Sequence, residues 1–453
     1  MSAASLPAVG GFGWLAIFRL GLVQTALGAI VVLTTSTMNR VMVVELALPA
    51  MLPGALVALH HAVQLLRPRL GHGSDVGGRR TPWIIGGMAL LGLGGVGAAI
   101  GTAWMATNVT AGVLLAVLSF ITIGIGTGSA GTSLLVLLAK RVDDSRRAAA
   151  ATIVWTMMIV GFIVTAGLAG HFLDPFSPAR LVAVTACVAV AAFVLTLVAV
   201  AGVEGRGAKV APTRADAAPT PFRAALAQVW AEPQARQFTV FVFVSMLAFS
   251  AQDLILEPFA GTVFGYTPGQ STQLSGVQNG GVLTGMLLVA LAASGRRAGS
   301  LRAWTIGGCL ASAVALLALA FGGLTPGWPL RLNVFALGLA NGAFAVAAIG
   351  SMMSLASAGA RGREGVRMGL WGAAQAIAFA VGGFTGTVAS DLAHALIGSP
   401  ALAYASVFAA EGLLFIVAAR LAMQTEVTRG ERLRLQVPIT ELAEPEHRRA
   451  GVS

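Results

Sequence analysis

Two short passages of the sequence place ionisable side chains inside or beside strongly apolar runs. The first passage contains Asn39, Arg40 and Glu45, and the second contains Gln252, Asp253 and Glu257. A charge at membrane depth is expensive and is usually kept for a reason. A guanidinium can pair with a carboxylate, so we expect an Arg40–Asp253 or Arg40–Glu257 pair. Two roles stay open and can coexist: a latch that closes the protein, or a gate or partner site for a polar head group or peptide.

The composition indicates an integral membrane protein that crosses the bilayer many times. Hydrophobic residues make up 56% of the 453 residues, charged residues 10%, and the mean hydropathy is +0.82. Soluble domains have roughly 25% charged residues. Basic residues gather in the loops on one side of membrane proteins, so the net charge of +11 does not call for nucleic acid as a partner. No metal-protease, phosphate-binding or nucleophile motif stands out, and we expect no enzyme.

Twelve apolar segments are long enough to be considered as membrane spans, for which about 20 residues are needed. In the first part of the chain they cover residues 14–36, 44–66, 82–104, 109–139, 149–172 and 180–202. In the second part they cover residues 238–258, 274–293, 303–322, 331–351, 367–389 and 401–422. Most basic residues fall between these spans on one side, which predicts that this side and both termini are cytoplasmic.

A polar stretch divides the chain into two comparable parts. We predict an N-terminal six-helix half (1–203), a cytoplasmic linker (204–237), a C-terminal six-helix half (238–423) and a cytoplasmic tail (424–453). Within the linker, apolar side chains at helical spacing predict a short amphipathic helix on the membrane surface, namely Phe222, Leu226, Val229 and Trp230.

The two halves repeat each other, and one loop has a known signature. Arg147, Trp155 and Gly170 match Arg363, Trp371 and Gly386 at an offset of 216 residues, and a Gly-Arg-Arg run recurs at an offset of 217. The loop between the second and third spans, GHGSDVGGRR, resembles the signature of the major facilitator superfamily through Gly71, Asp75, Gly78, Arg79 and Arg80. The predicted fold is therefore all-α, with 12 transmembrane helices in two parallel six-helix halves.

The sequence lacks two features that are typical of coupled transporters. The fourth span lacks an interior arginine, and the fifth lacks the Gly-Pro pattern of drug antiporters. We expect a central cavity without an evident proton relay or ion-binding carboxylate, which argues against ordinary coupled transport.

Several passages together resemble the PucC/LhaA family of photosynthetic assembly proteins, also called bacteriochlorophyll-delivery proteins. They are LGLVQ (20–24), NRVMVVEL (39–46), GHGSD (71–75), QDLILEPFAG (252–261), VFG (263–265) and PGQST (268–272). The likeness covers nearly the whole chain, although the loop between Asp75 and Gly78 is shorter than in several relatives. It implies a protein of the inner, intracytoplasmic photosynthetic membrane. Such a protein hands bacteriochlorophyll to light-harvesting antenna polypeptides or chaperones them, with those polypeptides, the pigment or its synthesis machinery and the lipid bilayer as partners. The alternative is a major facilitator transporter of a small solute.

If bacteriochlorophyll is bound as cargo, His60 and His61 are the candidate ligands of its magnesium. Adjacent side chains on a helix point about 100° apart, so at most one of them faces a given surface. Helix packing or snorkelling is the competing explanation for both. Glycine-rich stretches at 124–128 and 382–383 could leave room for a flat ring, or could instead serve close helix packing.

Overall fold

The computed structural model describes residues 12–66, 79–143, 146–204, 222–294, 300–358 and 364–435. Of the residues in the loop signature, Gly71, Asp75 and Gly78 lie outside these ranges. Among the described residues, eleven helices are long and apolar enough to cross a membrane, and a twelfth apolar helix is shorter.

The N-terminal half contains α1 (Trp14–Glu45), α2 (Met51–Val63), α3 (Thr81–Met105), α4 (Val109–Arg141), α5 (Arg147–Leu173) and α6 (Pro178–Val200). After the linking helix α7 (Phe222–Ala231) come α8 (Pro233–Asp253), α9 (Leu256–Phe264), α10 (Pro268–Ser294), α11 (Leu301–Gly322), α12 (Leu330–Ala358), α13 (Glu364–Leu396) and α14 (Pro400–Leu435). Helices α8 and α9 together make one span with a short break between them.

The predicted boundary between the first two spans is wrong. Helix α1 does not end near residue 36 but continues to Glu45 through two wide π-helical turns, Leu33–Thr37 and Val41–Glu45. Thr37, Asn39 and Arg40 are buried and contact the other half, so they do not mark a loop in water. The second span is correspondingly short, since α2 begins only at Met51.

Each half has its own apolar core, and the halves meet along two helix pairs. One buried cluster is built almost entirely from the N-terminal half, and a second from the C-terminal half. Across the junction, α5 packs against α10 and α2 packs against α13. At the first pair the backbones come very close, because a Cβ on Gly170 or on Gly269 would collide with the other glycine's carbonyl oxygen. Only glycine permits this approach.

The two ends of the helix bundle differ in their residues, and we call them the latch end and the basic end. The latch end holds the connection between α1 and α2, the end of α5 and the start of α10, and contacts between the halves gather there. The basic end holds the starts of α3, α8 and α13, with Arg79, Arg80, Arg236 and Arg367.

Candidate functional site

Arg40 is the buried cation of the latch end. It is 2% exposed, its Nη1 donates to Glu45 Oε1 over 2.5 Å, and its Nη2 donates to the carbonyl of Tyr266 over 2.6 Å. The ion pair thus lies within the N-terminal half, whereas the contact across the junction is to a backbone carbonyl. The expected pairs with Asp253 and Glu257 are not the contacts that Arg40 makes. Gly261 lies flat against the guanidinium, and a side chain there would displace it.

Asn39 forms a hydrogen bond to the backbone in the break between α8 and α9. The break leaves the carbonyl of Leu254 outside a regular helix, and Asn39 Nδ2 donates to it over 2.6 Å. The Leu254 side chain belongs to the apolar core of the N-terminal half, although the residue belongs to the C-terminal half. An amide and a leucine therefore fasten the same point of the junction.

A series of hydroxyl contacts continues this junction. Thr37 and Thr272 lie 2.9 Å apart through their hydroxyl oxygens, and Ser36 and Ser275 lie 3.0 Å apart. Ser275 also donates to Glu257 Oε1 over 2.5 Å, so Glu257 is held by a hydroxyl of its own half. Arg40 lies near enough to act on Glu257 electrostatically. Four of the five residues from 36 to 40 thus contact the other half through their side chains.

Two aspartates cap helices of the opposite half, and the sequence analysis did not identify either. Asp391 on α13 accepts from the backbone N–H groups of Ala50 and Met51 at the start of α2, over 2.8 and 2.7 Å. The first turn of α2 has no capping side chain of its own. The orphan N–H groups and positive end of a helix favour a carboxylate at this position.

Asp174, immediately after α5, makes the equivalent contact with α10. It accepts from the hydroxyl of Thr267 over 2.7 Å and from the backbone N–H of Gly269 over 3.2 Å. Thr267 and Gln270 also form a capping box, in which each side chain accepts from the other residue's backbone N–H. This box explains why α10 begins at Pro268, six residues before the predicted span.

The two capping aspartates are related by the internal repeat. Asp174 and Asp391 are separated by 217 residues, and so are the helix starts at Met51 and Pro268. The same offset relates the Gly-Arg-Arg runs, so the repeat was the signal that could have revealed this pair. We use the word latch for the contacts of residues 36–51, 174, 254–275 and 391 across the junction.

A cleft of about 590 Å³ opens beside the latch. Its walls include Arg40, Glu45, Asp174, Phe176 and Tyr266. The Glu45 side chain is 34% exposed, whereas that of Arg40 is 3% exposed. A polar group that entered the cleft would meet a carboxylate first, with the guanidinium behind it. The geometry is compatible with both roles considered for this cluster, a closing latch and a binding site.

Gln252 and Asp253 form the end of α8, immediately before the Leu254 that Asn39 contacts. Gln252 is fully buried, and neither atom of its side-chain amide has a hydrogen-bond partner. Asp253 Oδ1 accepts from Gln278 Nε2 on α10 over 3.3 Å. A third acidic residue, Glu411 on α14, is buried and acts electrostatically with Asp253. The sequence analysis did not identify Glu411, which stands as a single charge in an apolar run.

At the basic end, Glu204 caps α3. Its carboxylate accepts from the backbone N–H groups of Arg80 and Thr81 and from the Thr81 hydroxyl, over 2.7 to 3.0 Å. Burial by itself raises the pKa of Glu204. The hydrogen bonds from Thr81 and Arg80 and the charge of Arg79 outweigh burial, so the pKa lies below its usual value. Arg80 is buried and Arg79 is exposed, so the two arginines of the signature have different surroundings.

The linking helix is tied to the C-terminal half by an ion pair. Arg367 is 2% exposed and makes a two-pronged contact with Glu232, which stands between α7 and α8, over 2.7 to 3.1 Å. The predicted short helix is present as α7, with Val229 buried and Trp230 exposed. Both residues of this ion pair were missed by the sequence analysis.

His60 and His61 face different neighbours, as adjacent helical residues must. His60 is buried, with its Nε2 lying 2.7 Å from Gln64 Nε2. His61 is partly exposed, and its ring lies 5.7 Å from that of Phe379 across the junction of the halves. The glycine-rich stretches proposed as room for a pigment ring are occupied at several points. Gly124 lies against Val63, and Gly382 lies against Leu247.

The two halves, their paired junction helices and the long apolar spans define a multi-pass membrane protein with the major facilitator superfamily fold. The crystal structure of the nucleoside transporter NupG matches this chain with a TM-score of 0.68 at 14% identity, covering 90% of this chain and 99% of NupG. At that identity the likeness concerns the fold alone.

The chain belongs to the PUCC protein family, whose profile matches residues 37–431. It is 54% identical over 418 residues to the "Bacteriochlorophyll synthase 44.5 kDa chain" of Rhodobacter capsulatus, covering 92% of this chain and 97% of the relative. It is 30% identical over 430 residues to Protein PucC of Cereibacter sphaeroides, covering 88% and 90% of the two chains. Family and fold thus resemble membrane transport and assembly proteins rather than enzymes.

Proposed function

We propose that this protein is an assembly factor for light-harvesting complexes, which delivers bacteriochlorophyll to antenna polypeptides or chaperones them until pigment is inserted. The observation that carries the proposal is the match to the PUCC family over residues 37–431. The relative named for a bacteriochlorophyll synthase chain supports a connection with this pigment. The partners would be antenna polypeptides and bacteriochlorophyll or the machinery that makes it.

The distribution of charge supports an orientation in the membrane. The basic end carries Arg79, Arg80, Arg236 and Arg367, and we propose that it faces the cytoplasm, with both termini on that side. The latch end then faces away from the cytoplasm. The membrane would be the inner, intracytoplasmic membrane of a phototroph.

The arrangement of the junction supports access from the membrane or from the basic end. The latch fastens the halves at one end through Arg40, Asn39, Asp174 and Asp391. A pigment with a large flat ring and a long apolar tail would lie against outward-facing apolar helix surface, and exposed Leu93 on α3, Leu114 on α4 and Leu291 on α10 mark separate examples of such surface. Of the two candidate ligands, His60 is buried and His61 is partly exposed beside Phe379 at the junction of the halves, so a pigment bound by His61 would lie at that junction.

The test is a clean deletion in a phototroph that carries this gene, complemented with the wild-type chain or with variants. We expect the deletion to lower one assembled antenna complex, measured by its near-infrared absorption, while extractable bacteriochlorophyll is still made. A double variant, His60→Phe with His61→Phe, tests the pigment ligand in protein purified from such cells. Normal antenna absorption in the deletion strain, with no paralogue present, would refute the proposal.

A transporter of a small solute is the second candidate, and two observations favour it. The fold is that of solute transporters, and three acidic side chains, Asp253, Glu257 and Glu411, lie inside the C-terminal half. Solute flux in liposomes containing the purified protein, with wild-type antenna levels in the deletion strain, would favour transport over assembly.

A further inference from the structure

Helix α14 carries a carboxyl group that neither the latch nor the proposed pigment role uses. Glu411 lies near the middle of the span Pro400–Gln424 and is 3% exposed. Neither of its side-chain oxygens has a hydrogen-bond partner. Phe408 and Phe415, one turn away on either side along the same face, are completely buried. The acidic group therefore belongs to the packed interior and does not face lipid.

Polar groups of neighbouring helices lie at the same depth. Ser312 on α11 donates to Asn341 Oδ1 on α12 over 2.8 Å, and Asn341 Nδ2 has no partner. The rings of Phe344 and Phe415 lie 5.9 Å apart and join α12 to α14. Asn341 and Glu411 each stand about one turn before these rings on two helices that both begin at the latch end. Residues three or four apart share a helix face, so Asn341 lies on the Phe344 face of α12 and Glu411 lies on the Phe415 face of α14.

Asp253 is the negative group that acts on Glu411. It lies at the end of α8, which packs against α14, and it acts electrostatically on Glu411. Among the side chains that the structure describes on α14 and on the helices that contact it, the other titratable ones are Asp253, Glu257, Cys309, Asp391, His394 and Tyr404. Glu257 is held by Ser275, and Asp391 by the start of α2. The charged ends of these helices and of α12 carry Arg236, Arg302, Arg331, Arg367 and Arg420.

An ionised carboxylate without a partner is strongly unfavourable in an apolar interior, and such groups take up a proton or a cation. Calcium and magnesium require several oxygen ligands. Among the described residues, no group of three or more His, Cys, Asp or Glu side chains is placed to hold a metal ion. A protonated carboxyl group both donates and accepts a hydrogen bond, which suits an interior with an unpartnered amide group on α12 and a second acidic group on α8.

We propose that Glu411 is a proton-binding site of this protein, occupied while the latch is closed, with Asp253 as the group through which the proton leaves. Release converts the carboxyl group to a carboxylate and transfers one proton to water at the partly exposed Asp253. Asp253 immediately precedes Leu254, whose carbonyl accepts from Asn39 across the junction. Repulsion between two carboxylates at this point strains the junction of α8 and α9, so proton release loosens the latch.

The proposal is tested by infrared titration of the full-length protein in lipid nanodiscs. At neutral pH the wild-type protein should show the C=O band of a protonated carboxyl group, which Glu411→Gln removes and Asp143→Asn, at an exposed carboxylate, leaves unchanged. In Asp253→Asn the band should disappear at a lower pH than in the wild type, because a neighbouring negative charge no longer retains the proton. This second variant keeps the test valid if Glu411→Gln fails to fold.

Two results would overturn the proposal. One is a wild-type spectrum without the band at neutral pH, or a band that persists in folded Glu411→Gln protein. The other concerns thermal stability. If the stability of the wild type rises with sodium concentration but not with proton concentration, and Glu411→Gln abolishes this rise, the site binds a metal cation and not a proton.

Discussion

Replacing Asp391 by alanine should shift the protein toward a state in which the latch is open. Asp391 accepts two hydrogen bonds from the start of α2, from Ala50 and Met51, and it belongs to the other half. A hydrogen bond to a charged group contributes about 1.5–3 kcal/mol, and loss of a helix cap costs roughly 1 kcal/mol. Because Asp391 is partly exposed and water can replace part of the contact, we take about 2 kcal/mol, which is about a 30-fold change in the closed-to-open ratio.

The assay is a distance measurement by double electron–electron resonance between spin labels on the two halves. Labels at Thr107→Cys and Leu324→Cys lie on exposed loops at the latch end, in a background with Cys187→Ser and Cys309→Ala. We expect Asp391→Ala to raise the long-distance population, and Asp143→Ala, at the basic end, to leave it unchanged.

The repeat provides an internal comparison. Asp174→Ala removes the equivalent cap from α10, although the capping box of Thr267 and Gln270 remains there. Its effect should therefore be smaller than that of Asp391→Ala. Identical distance distributions for wild type and Asp391→Ala would refute the reasoning, since the cap would then contribute nothing to closure.

Further outcomes follow from the buried charge contacts. Arg40→Ala should lower stability by about 3–5 kcal/mol and reduce antenna assembly, whereas exposed Arg331→Ala should cost about 0–1 kcal/mol; equal thermal unfolding of the two variants would contradict this. The lowered pKa of Glu204 means that its contribution to stability is present above the usual glutamate pKa and is lost as the pH falls through the folded-state pKa. Glu204→Gln should therefore flatten the acid side of the stability profile, measured by thermal unfolding across pH. Gly269→Ala should destabilise the close approach of α5 and α10, by about 1–3 kcal/mol, while Gly13→Ala, in open space, should not.

The sequence alone predicted the membrane class and most of the helices. Apolar run length is sufficient for this purpose because a span must satisfy its own backbone hydrogen bonds in lipid, which leaves the helix as the solution for each run. The internal repeat and the loop signature then predicted the two-half fold. They could not place the end of α1, where the polar residues Thr37, Asn39 and Arg40 look like a loop but are buried and contact the other half.

The sequence indicated some members of the latch but not their contacts. Asn39, Arg40 and Glu257 do gather at the latch end, as their unusual position in apolar runs indicated. The partner of Arg40 across the junction is the carbonyl of Tyr266. A carbonyl is present in every residue, so no sequence pattern distinguishes this one, and only the break after α9 brings it to the guanidinium.

The capping aspartates and Glu411 show what tertiary structure decided. Asp174 and Asp391 stand near helix ends, where acidic residues are ordinary, and their importance arises because each meets the start of a helix from the other half. The sequence shows Glu411 as one charge in an apolar run. Only the structure shows that its side-chain oxygens have no hydrogen-bond partner. Hydropathy depends on composition along one chain segment, whereas the partner of a buried polar group depends on the rotation of each helix and the fit of the two halves.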